Sequence, residues 1–226
     1  QQLDLVNAEN NTDAWREEII WKCLNDIARA HELLADIDPK PFAHFQPEKS
    51  LPLYHKLMDI LIHECADPSQ QNTLSELKES LFKQATESDA LDYQKTIIHN
   101  DFNPRNVLIR RGGIPCFYDW ELAVIDFPQR DILEFLSFVL PEDFNEDDLW
   151  KYLKQHFKSM QQGISNSSFD WKSYLAASKI ALQTYICCRV SFYEVSGIVA
   201  KYDFSQRILS VSLRMLHCID LEFSKI

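Results

Sequence analysis

The sequence predicts an α+β fold that is mainly α-helical and contains one small β-hairpin. Five or more stretches place apolar residues at helical spacing, whereas only three short runs are typical of strands. The chain has four glycines in 226 residues, and this low count favours helices over a glycine-rich β architecture. A hydrophobic content of 46% and a charged share of 25% are typical of a soluble globular protein.

The first part of the chain is predicted to hold three helices, at about residues 15–35, 54–66 and 73–91. Thr12 and Asp13 can cap the first helix, and the sequence at 73–76 is a capping box that would open the third. Prolines between residues 36 and 53 indicate a loop. We expect His31 to lie on the surface of the first helix.

The polar residues of greatest chemical interest lie between residues 97 and 121. Three short strands are predicted there, at 97–98, 107–109 and 114–118, with Gly112 and Gly113 in a turn that requires positive φ. A hairpin of this kind brings Asp119 back beside Asn106. A carboxylate and an amide oxygen would then converge near a second carboxylate, that of Asp101.

This combination of oxygens suits phosphoryl transfer. Mg²⁺ takes oxygen ligands, and it is usually bound by one or two protein carboxylates together with substrate phosphates. Asn106 and Asp119 could supply the protein ligands, which leaves Asp101 to accept a proton from an attacking hydroxyl. The spacing Asp-x-x-x-x-Asn, with a metal-binding Asp downstream, is the catalytic-loop pattern of protein kinases.

The segments HNDFNPRNVLI and CFYDWELAVIDFPQRD resemble those of the aminoglycoside phosphotransferase and choline kinase group. His99, Asp101 and Asn106 match the HxDxxxxN catalytic loop of that family. Residues 119–121 are similar to its DWE metal-binding segment, and Asp131 matches an Asp that opens the next helix. The resemblance is strong over about 35 residues and implies the large, C-terminal catalytic lobe of a protein-kinase-like fold.

The resemblance also implies a role for each matching residue and two cofactors, Mg²⁺ and ATP. By that resemblance Asp101 is the general base, Asn106 and Asp119 hold Mg²⁺ and with it the nucleotide, and His99 orders the loop. The phosphoryl group would pass to a hydroxyl of a small acceptor, because the family acts on aminoglycosides, choline and other hydroxyl compounds. The fold does not distinguish among such acceptors.

Three further residues near the motif have a supporting or open role. Asp131 is expected to support the loop, because an Asp near a helix start caps free N–H groups. Glu121 could reach the metal or form an ion pair. Arg105 stands where the family often has glycine, and it could be a solvated surface residue.

After the hairpin the sequence predicts only helices. Pro128 suits the first turn of a helix, and the apolar run ILEFLSFVL indicates that this helix is buried. Asn145 can cap the next helix, which would end at Gly163. The last two helical stretches are predicted at 169–200, partly broken, and at 204–223.

Two groups of residues in this C-terminal part allow two interpretations each. The carboxylates between Glu142 and Asp148 could complement a helix dipole or line an acidic cleft for a polyamine-like substrate. The aromatic rings between Trp171 and Tyr202 could pack in a helical core or form a cage for a quaternary ammonium group. We expect one domain over residues 1–226, with a core at about 12–140 and a helical part at about 141–226.

Charge and cysteine content restrict the partners. A net charge of −11 argues against a nucleic-acid partner, which needs clustered Lys and Arg, and is compatible with a cationic substrate. No run approaches the 18 apolar residues of a membrane span. The six cysteines are scattered without a CxxC pair, so we expect reduced, mostly buried thiols and a cytoplasmic location.

A kinase of this group also needs a smaller lobe, with a phosphate-covering loop and a Lys that pairs with the phosphates. No Gly-rich loop precedes the catalytic segment, and the chain begins with Gln rather than Met. We therefore expect the N-terminal lobe to be supplied by upstream sequence, or the chain to be a truncated relative. Two hypotheses follow: the catalytic lobe of an ATP-dependent small-molecule kinase, or a non-catalytic kinase-like binding or interaction module.

Overall fold

The computed structural model describes residues 15–90, 94–110, 112–163, 170–200, 202 and 204–225. Within these ranges the α-helices are Glu17–Ala35 (α1), Leu51–Glu64 (α2), Pro68–Ala90 (α3), Gln129–Val139 (α4), Glu146–Gly163 (α5), Trp171–Tyr185 (α6), Ser191–Ala200 (α7) and Ser205–Phe223 (α8). The strands are Thr96–Ile98 (β1), Val107–Arg110 (β2), Ile114–Phe117 (β3) and Val124–Asp126 (β4). The predicted α+β, mainly α fold class is confirmed.

The strands form two antiparallel pairs. β2 and β3 make the predicted hairpin, in a register that runs from Val107 opposite Phe117 to Arg110 opposite Ile114. Gly112 and Gly113 adopt φ values of 88° and 69°, as the turn requires. β1 pairs with β4, a strand that the sequence analysis missed because its three residues are too few to show a period.

Two predicted helix starts were wrong. α2 begins at Leu51 rather than near residue 54, because a proline in the first helical turn is tolerated. α3 begins at Pro68, where the Asp67 carboxylate accepts a 2.8 Å hydrogen bond from the Ser69 N–H. Thr73 therefore lies inside α3 rather than at its start. The predicted caps Thr12 and Asp13 lie outside the described residues.

The predicted start of α5 and the interruption before α7 are both observed. The Asn145 side chain accepts a 3.0 Å hydrogen bond from the Asp147 N–H and so caps α5. A π-helical segment at Ile186–Val190 joins α6 to α7, which accounts for the partly broken pattern in the sequence. Such single π turns are frequent at functional sites.

One cluster of buried apolar side chains draws on all eight described helices. α4 lies at its centre and is buried at every position, as its apolar sequence predicts. It packs against α6 and α8, whereas α1 packs against α5 and β1. The segment 97–121, which carries the predicted site, therefore lies against a packed set of helices. No helix in the described ranges is both long enough and apolar enough to cross a bilayer.

Candidate active site

The loop between β1 and β2 holds Asp101 through its carboxylate and its main chain. Asn106 Nδ2 donates 2.8 Å hydrogen bonds to both the main-chain oxygen and Oδ2 of Asp101. Asn103 Nδ2 donates a 3.0 Å bond to Oδ1. Asp101 stays partly exposed, and each carboxylate oxygen has a second lone pair. The carboxylate is thus held in place while it can still accept a proton.

The hairpin brings the backbone of the Asp119 segment next to Asn106. The Tyr118 N–H donates a 3.2 Å hydrogen bond to the Asn106 carbonyl oxygen, one residue beyond the last strand pair. Because both N–H bonds of the Asn106 amide point to Asp101, its Oδ1 is the atom that can meet a cation. The exposed Asp119 carboxylate follows directly after Tyr118.

These donors fit Mg²⁺, although they do not form a self-sufficient metal cage. Asn106 and Asp119 offer hard oxygen atoms, the ligand type that Mg²⁺ prefers, and the remaining positions would belong to phosphate and water. No group of three or more His, Cys, Asp or Glu side chains suited to a metal occurs in the part of the chain that is described.

Two residues of the candidate site have a left-handed backbone conformation. Asn100 has φ 60° and Asp119 has φ 65°, and Asn and Asp tolerate this region better than most residues. Asn100 directly precedes Asp101. Local strain of this kind clusters at functional sites when the surrounding structure holds it in place.

His99 connects the catalytic loop to the Asp119 segment. Its ring is buried, and the ring atom Nε2 lies 2.8 Å from the Tyr118 carbonyl oxygen. The ring also packs against Trp120, with the ring centroids 4.6 Å apart. The structure therefore places His99 where it can fix the distance between the two segments.

Asp131 lies in the first turn of α4 and accepts hydrogen bonds from the catalytic loop. Its Oδ2 accepts from the His99 N–H at 2.8 Å, and its Oδ1 accepts from the Asn100 N–H at 2.9 Å. His31 Nε2 lies 2.9 Å from Oδ2. Burial acts to raise the pKa of Asp131, but the hydrogen bond and charge of His31, with the charge of His99, lower it overall.

The prediction that His31 lies on a helix surface was wrong. His31 is completely buried and pairs with Asp131 across 100 residues of sequence. The signal was present, because His31 follows Ile27 by four residues and so falls on the apolar face of α1. A buried His of this kind needs a polar partner, and only the tertiary structure brings Asp131 to it.

Glu121 and Arg105 both lie at the surface of this region. Glu121 is exposed in the 3₁₀ turn Trp120–Leu122, two residues after Asp119. The exposed Arg105 directs its Nε to Asn103 Oδ1 at 3.3 Å. Arg105 also accepts a hydrogen bond from the Tyr118 hydroxyl through its carbonyl oxygen, so its main chain joins the loop to the hairpin.

The sequence analysis missed two charged residues near the loop, the half-buried Arg189 and the buried Glu134. Arg189 lies in the π-helical segment and donates from Nη2 to the Asn100 carbonyl oxygen at 2.7 Å. Glu134 is fully buried in α4, where Tyr193 donates to its Oε1 at 3.4 Å. Burial raises the pKa of Glu134 to about 7, an effect that the charge of Arg189 opposes. The sequence did contain a signal for Glu134, because it is the single charged residue in the otherwise apolar run ILEFLSFVL.

Glu134 should make the stability of the fold depend on pH. The pKa of Glu134 rises from 4.5 to about 7 on folding, so the unfolded chain ionises first as pH increases. The Glu134 contribution is therefore complete below about pH 4.5 and is lost as pH rises through about 7. Glu134→Gln cannot titrate, and its unfolding free energy should fall less between pH 5 and 8 than that of the wild type. Urea unfolding at four pH values in that range tests this, and parallel profiles would contradict it.

The structure shows where some members of the two C-terminal groups lie. Glu146, Asp147 and Asp148 occupy the first turn of α5, where they can complement its dipole. Tyr174 is completely buried and stacks on Trp171 at 5.3 Å, as the core-packing interpretation expects.

Comparison with known proteins identifies a family by sequence and a shared fold by structure. A sequence profile of the phosphotransferase enzyme family, APH, matches residues 11–161. No curated protein sequence matches the chain significantly.

Among solved structures, the choline kinase of Streptococcus pneumoniae is similar at 13% identity and a TM-score of 0.54, over 98% of this chain and 67% of that one. The ethanolamine kinase of Plasmodium vivax is similar at 15% identity and a TM-score of 0.61, over 94% of this chain and 63% of that one. APH(2")-IIia, solved with GDP and kanamycin, is similar at 14% identity and a TM-score of 0.58, over 98% and 69%. At these identities the likeness shows a shared fold.

Proposed function

Because the chain belongs to the phosphotransferase enzyme family, we propose that it transfers the γ-phosphoryl group of ATP to a hydroxyl group of a small acceptor. The family resemblance seen in the sequence is confirmed by that membership. The observation that supports the proposal is the double contact of Asn106: its amide side chain donates to Asp101, and its carbonyl oxygen accepts from the N–H of Tyr118, the residue before Asp119.

Asp101 would act as the general base and accept the proton of the acceptor hydroxyl. Its two carboxylate oxygens are held by Asn103 and Asn106, so the carboxylate need not reorganise when the hydroxyl arrives. General-base assistance typically contributes about 10²–10⁴-fold to a rate.

Asn106 and Asp119 would hold Mg²⁺ through Oδ1 and a carboxylate oxygen. A bound Mg²⁺ neutralises charge on the phosphates as the phosphoryl group is transferred. The contribution of the chain itself is placement, because the contact between Tyr118 and Asn106 sets the distance between the two ligand-bearing segments.

His99, Asp131 and Arg189 would act as positioning residues. Asp131 ties down two consecutive N–H groups just before Asp101, and Arg189 binds the carbonyl oxygen of the intervening Asn100. His99 links this loop to Tyr118. Each contact restrains the backbone that carries Asp101. A small displacement of a catalytic group lowers the reaction rate strongly.

We also propose that a nucleotide-binding lobe precedes this chain. The chain spans 67%, 69% and 63% of the three solved structures described above, which leaves room for a lobe that covers the phosphates. Such a lobe would provide the phosphate-binding loop and Lys that the sequence lacks upstream of the catalytic segment. The six free cysteines, of which only Cys116 is not buried, support a reducing, cytoplasmic location.

The test compares this chain with a longer protein that includes the upstream region. Both are assayed for Mg²⁺-dependent phosphoryl transfer from ATP to a panel of choline, ethanolamine and aminoglycoside acceptors. We expect turnover from the longer protein and almost none from the chain alone, because in-line placement of the γ-phosphate requires the missing contacts. Robust turnover by the chain alone would overturn the two-lobe proposal. If the longer protein neither turns over any of the acceptors nor binds ATP in the presence of Mg²⁺, a non-catalytic binding module would be favoured.

A further inference from the structure

Two buried histidine rings pack against each other beside Asp131. His31 lies on α1 and His156 lies on α5, and both side chains are completely buried. Their ring centroids are 5.9 Å apart, with the ring planes at 85° to each other. The contacts described above account for His31, which pairs with Asp131, but they leave His156 without a role.

Each of these rings has one nitrogen with a polar partner and one without. His31 Nε2 lies 2.9 Å from Asp131 Oδ2, and His156 Nδ1 lies 2.8 Å from the Tyr174 hydroxyl oxygen. The second nitrogens, His31 Nδ1 and His156 Nε2, are buried and have no hydrogen-bond partner among the described residues. Because buried polar atoms are nearly always hydrogen-bonded, two such nitrogens on neighbouring rings need a common explanation.

His156 can pair with His31 in either of its two neutral forms. Burial lowers the pKa of His156 well below its usual value, and the charge of His31 lowers it further, so His156 is uncharged near neutral pH. A neutral imidazole has one N–H donor and one acceptor nitrogen. If Nδ1 accepts from Tyr174, Nε2 carries the proton and can donate to His31. If Nδ1 donates to Tyr174, Nε2 can accept from His31.

We propose that His156 Nε2 and His31 Nδ1 are joined by a hydrogen bond, either directly or through one water molecule. This bond completes a chain that runs from Tyr174 through His156 and His31 to Asp131. Asp131 holds the backbone N–H groups that precede Asp101, so His156 and Tyr174 are positioning residues for that carboxylate. Their effect on catalysis rests on the proposed function, whereas the hydrogen-bonded chain does not.

The chain acts on the catalytic loop through the orientation of His31. The hydrogen bond at one ring nitrogen of a histidine determines the protonation of the other. A partner at Nδ1 therefore keeps the Nε2–H group of His31 directed at Asp131. Without that partner the ring can turn away, and Asp131 loses one of the three groups that hold its carboxylate.

Native-state hydrogen exchange of this chain tests the proposal without an activity assay. The observed groups are the amide N–H groups of His99 and Asn100, which donate to Asp131. Tyr174→Phe removes only the hydroxyl and keeps the ring that stacks on Trp171, so the fold should survive. We expect both amides to exchange about five- to tenfold faster in this variant, as for the loss of one buried hydrogen bond.

Three further variants sharpen this experiment. Tyr152→Phe is the matched control, because it removes the hydroxyl of a tyrosine on α5 whose ring contacts Trp21, and it should leave both amides unchanged. His156→Phe removes both ring nitrogens and should accelerate exchange at least as much as Tyr174→Phe. His156→Gln keeps one donor and one acceptor group, so it should lie closer to the wild type. The nitrogen NMR chemical shift of His31 Nδ1 should change in His156→Phe.

Two results would overturn the proposal. One is exchange at the two loop amides that is the same in Tyr174→Phe and His156→Phe as in Tyr152→Phe. The other is faster exchange spread evenly over all buried amides, because that pattern reports a loss of global stability.

Kinetics of the longer protein test the positioning role itself. Tyr174→Phe should lower kcat by about three- to tenfold and leave KM for Mg-ATP unchanged, because it displaces Asp101 rather than the proposed metal ligands Asn106 and Asp119. Faster amide exchange with an unchanged kcat would overturn the positioning role. Faster amide exchange in a protein whose wild type transfers no phosphoryl group would confirm the hydrogen-bonded chain and contradict the proposed function.

Discussion

In the longer protein, Asp101→Asn is expected to lower kcat by about 10²–10⁴-fold, the usual contribution of a general base. An amide cannot accept the acceptor proton as a carboxylate does. KM for Mg-ATP should change little, because the proposed metal ligands Asn106 and Asp119 remain. Steady-state kinetics with Mg-ATP and the best acceptor measure both quantities.

Folding must be checked in the same variant, because Asp101 accepts hydrogen bonds from two side-chain amides, those of Asn103 and Asn106. In Asp101→Asn, the amide nitrogen of the new side chain faces the amide nitrogen of either Asn103 or Asn106. Two donors then meet where a hydrogen bond was, so a modest fall in Tm is expected. Asp36→Asn, at an exposed position after α1, is the matched control and should keep full activity. A kcat of Asp101→Asn within a few-fold of wild type would remove Asp101 from the role of base.

The largest expected loss of stability is that of Asp131→Ala. Removal of the carboxylate leaves the buried N–H groups of His99 and Asn100, together with the buried His31, without their acceptor. Removing one partner from a buried ionic pair typically costs about 3–5 kcal/mol. For a chain of this size that corresponds to a fall in Tm of about 6–20 °C. Thermal unfolding followed by circular dichroism measures it.

Two comparisons separate the hydrogen bonds of Asp131 from its volume. Asp131→Asn keeps the size of the side chain but turns a donor toward one of the loop N–H groups, so it should also destabilise strongly. Asp143→Ala, at an exposed position, should change stability by no more than about 0.5 kcal/mol. If Asp131→Asn matched the wild type, cavity formation rather than lost hydrogen bonding would explain the alanine result.

Local sequence determined the hairpin and most helices of this chain. Gly112 and Gly113 adopt the positive φ values that the turn demands, and glycine reaches that region without a steric penalty. The capping of α5 by Asn145 and the burial of α4 also follow from residues close in sequence. The start of α3 was misplaced because two adjacent segments carried capping signals, and the Asp67–Pro68 start prevailed over that at Thr73.

The catalytic motif was recognisable from its sequence spacing, but its supports were not. The spacing between Asp101 and Asn106 is short, so one amide side chain can reach both the main chain and the carboxylate of Asp101. Arg189 binds the loop directly, at the Asn100 carbonyl oxygen, whereas His31 contacts Asp131, which in turn binds the loop. Both residues lie on helices far from the motif in sequence.

The sequence by itself determined the fold class, the hairpin and the family motif, because each depends on spacing over a few residues. Only the tertiary structure decided which buried polar groups meet. A buried charge requires a partner, yet neither helical periodicity nor residue type specifies which distant residue supplies it.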